Sequence, residues 1–243
     1  MQKGYGQYCP LAIAMELLGQ RWTVLVISRI IDGCHTFNEI HRGVPKISPS
    51  LLSQRLNDLI DHGIVRKEKQ PGKNTFNYYV TEAGQDLEGI IMNIAIWGQH
   101  WGRDMKMEDL DPAFLAWSMH TRINSSAMPP GRTVLEFEFT GIPHELNRFW
   151  LVNTDGKVDM CLKHPGMETD LLITADLKTF VEAWRGIRDL RSEINERQIN
   201  LTGPSELRKA FPDWLLLSSL APYSRKKVGE EQVLAEERVL SKV

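Results

Sequence analysis

The stretch from Ser48 to Tyr79 constrains this 243-residue chain more than any other. Ser48 has the side chain of a helix N-cap, Pro49 suits the first helical position, and Gly63 closes the run. Leu52, Leu56, Leu59 and Ile60 recur at the three-four spacing of one buried stripe. Ser50, Ser53, Gln54 and Asn57 then fall on the opposite face, where short polar side chains and amides can reach base edges, and Arg55 can reach a phosphate. Residues 64–69 and 76–80 are short runs of strand type joined by Gln70-Pro71-Gly72-Lys73-Asn74-Thr75, a turn-forming string. A polar-faced helix followed by a basic hairpin is the arrangement that places a small domain in a DNA groove. The alternative is an ordinary helix and hairpin with solvated faces.

Charge supports the first reading locally. From His41 to Lys73 there are seven Lys or Arg residues against Asp58, Asp61 and Glu68, whereas the whole chain has a net charge of -2. Affinity for a polyanion is therefore expected in the first half only. No apolar run approaches the roughly 20 residues that span a bilayer, and no signal-peptide core is visible, so a cytoplasmic location and no membrane partner are expected. Cys9, Cys34 and Cys161 are an odd count with no Cys-x-x-Cys or Cys/His pair at zinc-ligand spacing, so neither a disulfide framework nor a structural metal is indicated; no cofactor is expected.

Upstream, Leu11, Ala14, Met15 and Leu18 repeat at helical spacing until Gly19; Trp22, Leu25, Val26 and Ile30 outline a second helix, and Phe37, Ile40 and Val44 a third. Helix, helix, short helix, recognition helix, hairpin is the winged helix-turn-helix order. Beyond the hairpin, Leu87, Ile90, Ile91, Ile94, Trp97 and Trp101 make a helix too apolar for so small a domain to cover alone. A second protomer would cover it, the alternative being the chain's own core.

These residues carry a resemblance. Tyr-Cys-Pro-Leu at 8–11, Leu-Leu-Gly-Gln-Arg-Trp-Thr at 17–23, Ile-Ser-Pro-Ser-Leu-Leu-Ser-Gln-Arg-Leu at 47–56, Gly-Ile-Val at 63–65 and Tyr-Tyr-Val-Thr-Glu-Ala-Gly at 78–84 resemble the HxlR family of bacterial winged-helix transcription regulators over residues 8–101. The resemblance implies a homodimer seamed by the first and the post-wing helices (Leu11, Ile90, Ile94, Trp97, Trp101) and a double-stranded DNA operator as partner. It places Ser50, Ser53, Gln54 and Arg55 on the recognition helix and Lys69, Lys73 and Asn74 on the wing; Ser48 and Asn57 join the DNA-contact candidates from their positions on the same helix. Some members sense oxidants or electrophiles through a cysteine at the position of Cys9, which here precedes Pro10 at a helix N-terminus, where backbone N–H groups favour a thiolate. The plainer reading makes Cys9 a small apolar residue at the dimer interface.

The second half reads as α+β. After a polar connection at 104–112 come a helix at 113–123, alternating strands around Leu135-Phe137-Phe139 and Val158-Met160-Leu162, and a strand at 148–153 apolar on both faces. A strand at 171–174, a helix at 177–186, a strand at 197–201 and a helix opened by Gly203-Pro204-Ser205-Glu206 follow. Asp-Leu-Leu-Ile-Thr-Ala-Asp at 170–176, Phe-Val-Glu-Ala-Trp-Arg-Gly at 180–186 and Ile-Asn-Leu-Thr-Gly-Pro-Ser-Glu-Leu-Arg at 199–208 resemble the sterol-carrier-protein-like domain. That resemblance implies an antiparallel sheet under helices with a small apolar ligand between the layers. Phe137, Phe139, Trp150, Met160, Phe180, Trp184, Phe211 and Trp214 are its candidate lining, unless they simply fill a core.

The expected organisation is thus two domains, a mainly α winged helix at 1–104 and an α+β lipid-binding-like domain at 112–222, with a charged tail at 223–243. No catalytic constellation stands out: His120, His144 and His164 are isolated, and the pairs Asp170/Asp176 and Glu193/Glu196 look like turn or surface residues. The expected function is a homodimeric, sequence-specific transcription repressor rather than an enzyme, with a second domain that binds an apolar or acyl ligand. Its rivals are a lipid carrier or enzyme that uses the winged helix only to dimerise, and a constitutive regulator without ligand.

Overall fold

The computed structural model describes residues 4–143 and 147–226; His144 and the tail from 227 onward lie outside them. The chain divides into two compact units, residues 1–94 and 95–243.

In the first unit, helices α1 (Pro10–Leu18), α2 (Thr23–Ile31), α3 (Phe37–Gly43) and α4 (Pro49–Asp61) precede a two-stranded ribbon of β1 (Val65–Lys69) and β2 (Phe76–Val80), a short α5 (Glu82–Gln85) and the start of α6 (Leu87–Trp101). The starts of α3 and α4 are chemically marked. The Thr36 hydroxyl accepts from Glu39 N and the Glu39 carboxylate from Thr36 N, a capping box ahead of α3, and the Ser48 hydroxyl accepts from Leu51 N at the head of α4. Gly63, at φ +68°, then turns the chain into β1. Gly84 is required for closeness instead: a Cβ there would strike the Ile64 carbonyl. The core is made by Val26, Ile27, Ile30, Ile40, Leu52, Leu56, Leu59 and Val65, all at most 2% exposed. The buried face of α2 is thus rotated from the expected one: Thr23 and Ile27 join Val26 and Ile30, Leu25 is 51% exposed, and Trp22 is the N-cap, at φ +78°. A chain turning through a left-handed residue restarts its helical phase, which continuous periodicity cannot register.

In the second unit, α7 (Pro112–His120) leads into a five-stranded sheet of β3 (Arg132–Thr140), β4 (Arg148–Thr154), β5 (Lys157–Cys161), β6 (Leu171–Asp176) and β7 (Ile199–Thr202). Between β6 and β7 lie α8 (Leu177–Trp184) and α9 (Leu190–Asn195), and α10 (Ser205–Trp214) follows. The strand order is β5-β4-β3-β6-β7. The sheet is mixed and not, as expected, antiparallel: β6 runs parallel to β3, with Phe137 opposite Ile173. From β5 at one edge the chain crosses to the far side of β3, and a strand's own alternation carries no record of its neighbour's direction. Leu135, Phe137 and Phe139 point with Phe149, Leu151 and Ile173 into a core closed by Met119, Phe180, Phe211 and Trp214. Val134, Trp150 and Val152 face the other way, against Cys161 and Met167. No single described helix is long and apolar enough to cross a membrane.

Candidate nucleic-acid interface

Helix α4 separates its faces cleanly. Leu52, Leu56 and Leu59 are at most 1% exposed, while Ser50, Ser53, Gln54 and Asn57 are exposed between them. Ser48 has its hydroxyl engaged by the cap and by Ser50 Oγ at 3.2 Å, so it orders the helix start.

Arg55 is placed differently from expectation. Its Nε donates to the Arg21 carbonyl at 3.1 Å and its Nη1 pairs with Asp58 at 2.9 Å, leaving the side chain 13% exposed. An arginine committed to two internal acceptors is a brace between α4 and the turn before α2, not a free phosphate ligand. The sequence offered no sign of this, because the long side chain of a solvent-side position folds back over its own helix.

The turn it braces holds a residue that sequence reasoning missed. The Arg21 side chain is exposed, with its guanidinium 4.7 Å from the centroid of Trp22, itself at positive φ. A bulky residue in that conformation is uncommon. The signal available was the Arg-Trp pair beside Gly19.

The wing is an antiparallel ribbon in register from Val65 opposite Val80 to Lys69 opposite Phe76. Gln70 N donates to the Thr75 carbonyl at 2.9 Å and the Gln70 amide to Asn77 Oδ1 at 2.6 Å, which ties the tip from inside. Lys69, Lys73 and Asn74 remain exposed at that tip. Lys67 Nζ sits 4.1 Å from the Phe76 centroid and the Arg66 guanidinium 5.1 Å from that of Tyr79, so aromatic rings hold two more cations along the ribbon.

The residues assigned to dimerisation are largely uncovered. Leu11, Ile90, Ile94 and Trp97 are 70%, 52%, 54% and 63% exposed, whereas Gln99 is the buried residue of α6. Trp101 is half-buried, with Lys226 Nζ 5.5 Å from its ring. Residues 223–226, assigned to a charged tail, are instead attached to the end of α6: Lys226 N donates to the His100 carbonyl at 2.9 Å, and Arg225 reaches Gly102 O at 2.7 Å and Asp104 at 2.8 Å.

Cys9 is the exposed N-cap of α1 and Cys161 is half-buried. Cys34 is buried, which pushes its thiol up to about 11. Among the described residues no group of three or more His, Cys, Asp or Glu is placed to hold a metal ion.

The eight residues assigned to a ligand pocket do not share one face of the sheet. Phe137, Phe139, Phe180, Phe211 and Trp214 are at most 1% exposed, and Phe137 stacks on Phe149 at 4.7 Å and meets Phe180 edge-on at 5.7 Å. Met160 and Trp184 lie at the margin of that core, and Trp150 is on the opposite face of the sheet. The register explains the last point: Trp150 stands opposite Glu136, while Phe137 stands opposite Phe149. Glu193, expected at the surface, is buried and paired with Arg188 at 3.3 Å.

Comparison with known proteins locates the resemblance. The HxlR-like helix-turn-helix family matches residues 17–106. The HTH-type transcriptional regulator YvaP of Bacillus subtilis is 30% identical over 111 residues, which are 45% of this chain and 95% of YvaP. The HTH-type transcriptional regulator YodB of the same organism is 33% identical over 95 residues, 38% of this chain and 85% of YodB. The solved reduced form of YodB aligns at 33% identity over 38% of this chain and 93% of its own, with a TM-score of 0.35.

Proposed function

The chain belongs to the HxlR-like helix-turn-helix family of transcription regulators, and on that premise we propose that it is a homodimeric, sequence-specific DNA-binding repressor whose second unit receives a signal. The exposed row of Ser50, Ser53, Gln54 and Asn57 carries this reading, rigidly backed by Leu52, Leu56 and Leu59 and flanked by the cationic wing. Amides and hydroxyls on one helix face can pair with base edges in the major groove, while Lys69 and Lys73 at the wing tip meet phosphates that position the helix. Arg21, beside the α4 brace, adds a further phosphate contact.

Two-fold operators need two recognition helices. The apolar side chains of Leu11, Ile90, Ile94 and Trp97 support a seam with a second copy, since each large side chain transferred from water contributes about 1.5–3 kcal/mol. Selection of duplexes from a random library on the full-length protein, followed by footprinting, tests the proposal. Recovery of a two-fold-related pair of half-sites is expected, and a sequence-blind pool would exclude it.

Signal reception is assigned to the sterol-carrier-like α+β unit, with double-stranded DNA and a small ligand as the two coupled partners. A ligand alters DNA affinity only by preferring one dimer geometry, and the preference is reciprocal. The packed aromatic core argues against a ligand seated among Phe137, Phe139, Phe180, Phe211 and Trp214 and directs attention to the outside of that layer. A second input is Cys9, whose exposure at the head of α1 favours a thiol switch. Loss of operator binding after mild oxidation, absent in Cys9→Ser, is its test.

A further inference from the structure

The second unit has a cleft outside its core, bounded by α9, the edge strand β7 and α10, with a volume of about 690 Å³. Arg191, Arg197, Arg208 and Lys209 line it, and no acidic residue does. Arg191 is committed to Asp213 at 2.6 Å. Arg197, Arg208 and Lys209 are exposed and make no ion pair among the described residues. With Arg191 neutralised by Asp213, the like charges of Arg197, in the turn before β7, and of Arg208 and Lys209, on α10, line one cleft without a carboxylate, and their repulsion is relieved most directly by an anion between them.

The floor has the opposite character. Ile199 is fully buried, and Ile194 and Leu201 are half-buried beneath the charged rim. Arg197 is held at φ +61°, a conformation glycine adopts without strain, by its own N–H donating to the Ile194 carbonyl at 3.2 Å and by Asn200 donating to its carbonyl at 3.2 Å. The chain thus carries a guanidinium at a place where backbone conformation alone would favour no side chain.

We propose that this cleft binds a small amphipathic anion, a carboxylate or phosphate headgroup held by Arg197, Arg208 and Lys209 with its apolar chain laid on the half-buried Ile194 and Leu201. The volume lies within the range of about 300–1,000 Å³ usual for small-ligand sites. A bare anion would leave the apolar floor wet, and a neutral lipid would leave the cations unmatched. The consequence for transcription rests on the reading of this unit as the signal receiver, but binding itself does not.

Calorimetric titration of the full-length protein with decanoate, decyl phosphate, decanol and inorganic phosphate, each below its aggregation threshold, separates the cases. Decanoate or decyl phosphate should bind, with decanol and inorganic phosphate weaker by about tenfold or more. The double variant Arg208→Gln/Lys209→Gln, at two exposed positions, should weaken the anionic amphiphile by about tenfold while circular dichroism and operator binding remain unchanged. Lys157→Gln/Lys163→Gln, elsewhere on the same unit, should leave it intact. Equal affinity for decanol, equal affinity for inorganic phosphate, or indifference to the Arg208/Lys209 change would each overturn the proposal. So would loss of random-duplex affinity in that variant without any amphiphile binding, which would make the cleft a DNA-backbone contact. Operator affinity with and without decanoate is then read separately: amphiphile binding that leaves operator affinity unmoved would refute the signalling role and not the site.

Discussion

The Gln99 side-chain oxygen accepts a hydrogen bond from Arg185 Nη2, while its amide nitrogen donates to the Arg185 backbone carbonyl at 3.4 Å. Gln99 is 1% exposed. Burial holds the Arg185 guanidinium below its usual range, as does the nearby Arg225, with Glu182 opposing them. The pair therefore fastens the last turn of α6 to the end of α8 by a part-buried polar contact.

Removing one partner of such a contact leaves the other buried without its acceptor. Gln99→Leu, which preserves volume, should destabilise the second unit by about 1–3 kcal/mol. A denaturant series on the full chain, with the midpoint compared to wild type, checks this; an unchanged midpoint would mean that water replaces the amide at no loss.

For DNA, Gln54→Ala should lose about 1–3 kcal/mol on selected operator and little on random duplex, whereas Lys73→Ala should weaken both and reduce the salt slope by about one. Fluorescence anisotropy across a salt series reads both. Equal losses for Gln54→Ala on the two duplexes would remove it from the base-reading set.

Arg55 sits on the same helix and should behave unlike either. Because it is fastened to Arg21 O and Asp58, Arg55→Ala should lower thermal stability, with a loss of about 1–2 kcal/mol, and leave the salt slope as it was. A reduced slope with unchanged stability would restore Arg55 as a phosphate ligand.

The contrast between Gln54 and Arg55 shows what was legible in the sequence. The α4 stripe, its cap and the wing could be read because period, N-cap and turn chemistry all agree locally. Arg55 escaped because side-chain reach is not encoded in spacing. In the second unit the strands were visible as alternation, but β6 could not be seen to run parallel to β3. Trp150 was grouped with Phe137 because both are aromatic, although their parity along paired strands puts them on opposite faces. Helix α9 was missed since six residues span too few turns to show a period, and with it the cleft: its cations are scattered over residues 191–209 and become neighbours only when α9, β7 and α10 fold together.

The dimer seam makes a sharp prediction. Ile94→Asp places a charge where an apolar side chain is 54% exposed, so the monomer's fold should tolerate it while a paired surface should not. Sedimentation should show monomer and operator affinity should fall; a folded dimer would put the seam elsewhere.

The cysteines should separate by both reactivity and pH. Cys9 is exposed, so iodoacetamide at pH 8 should label it first; Cys34 is buried and its thiol, pushed up to about 11, is almost wholly protonated there, so it should react only on unfolding. Desolvation by burial is the leading cause of that shift, partly opposed by Arg29. The sign of the stability effect follows. Between its ordinary value of 9.0 and about 11 the folded thiol keeps a proton that the unfolded thiol has released, so this contribution is complete below pH 9 and is lost as pH rises toward 11. Cys34→Ala should remove that alkaline slope while creating a small cavity. Wild type and variant compared by urea midpoint from pH 7 to 10.5 decide the matter: parallel curves would show that Cys34 does not carry the alkaline loss, and preferential labelling of Cys34 over Cys9 in the native protein would contradict the burial of its thiol.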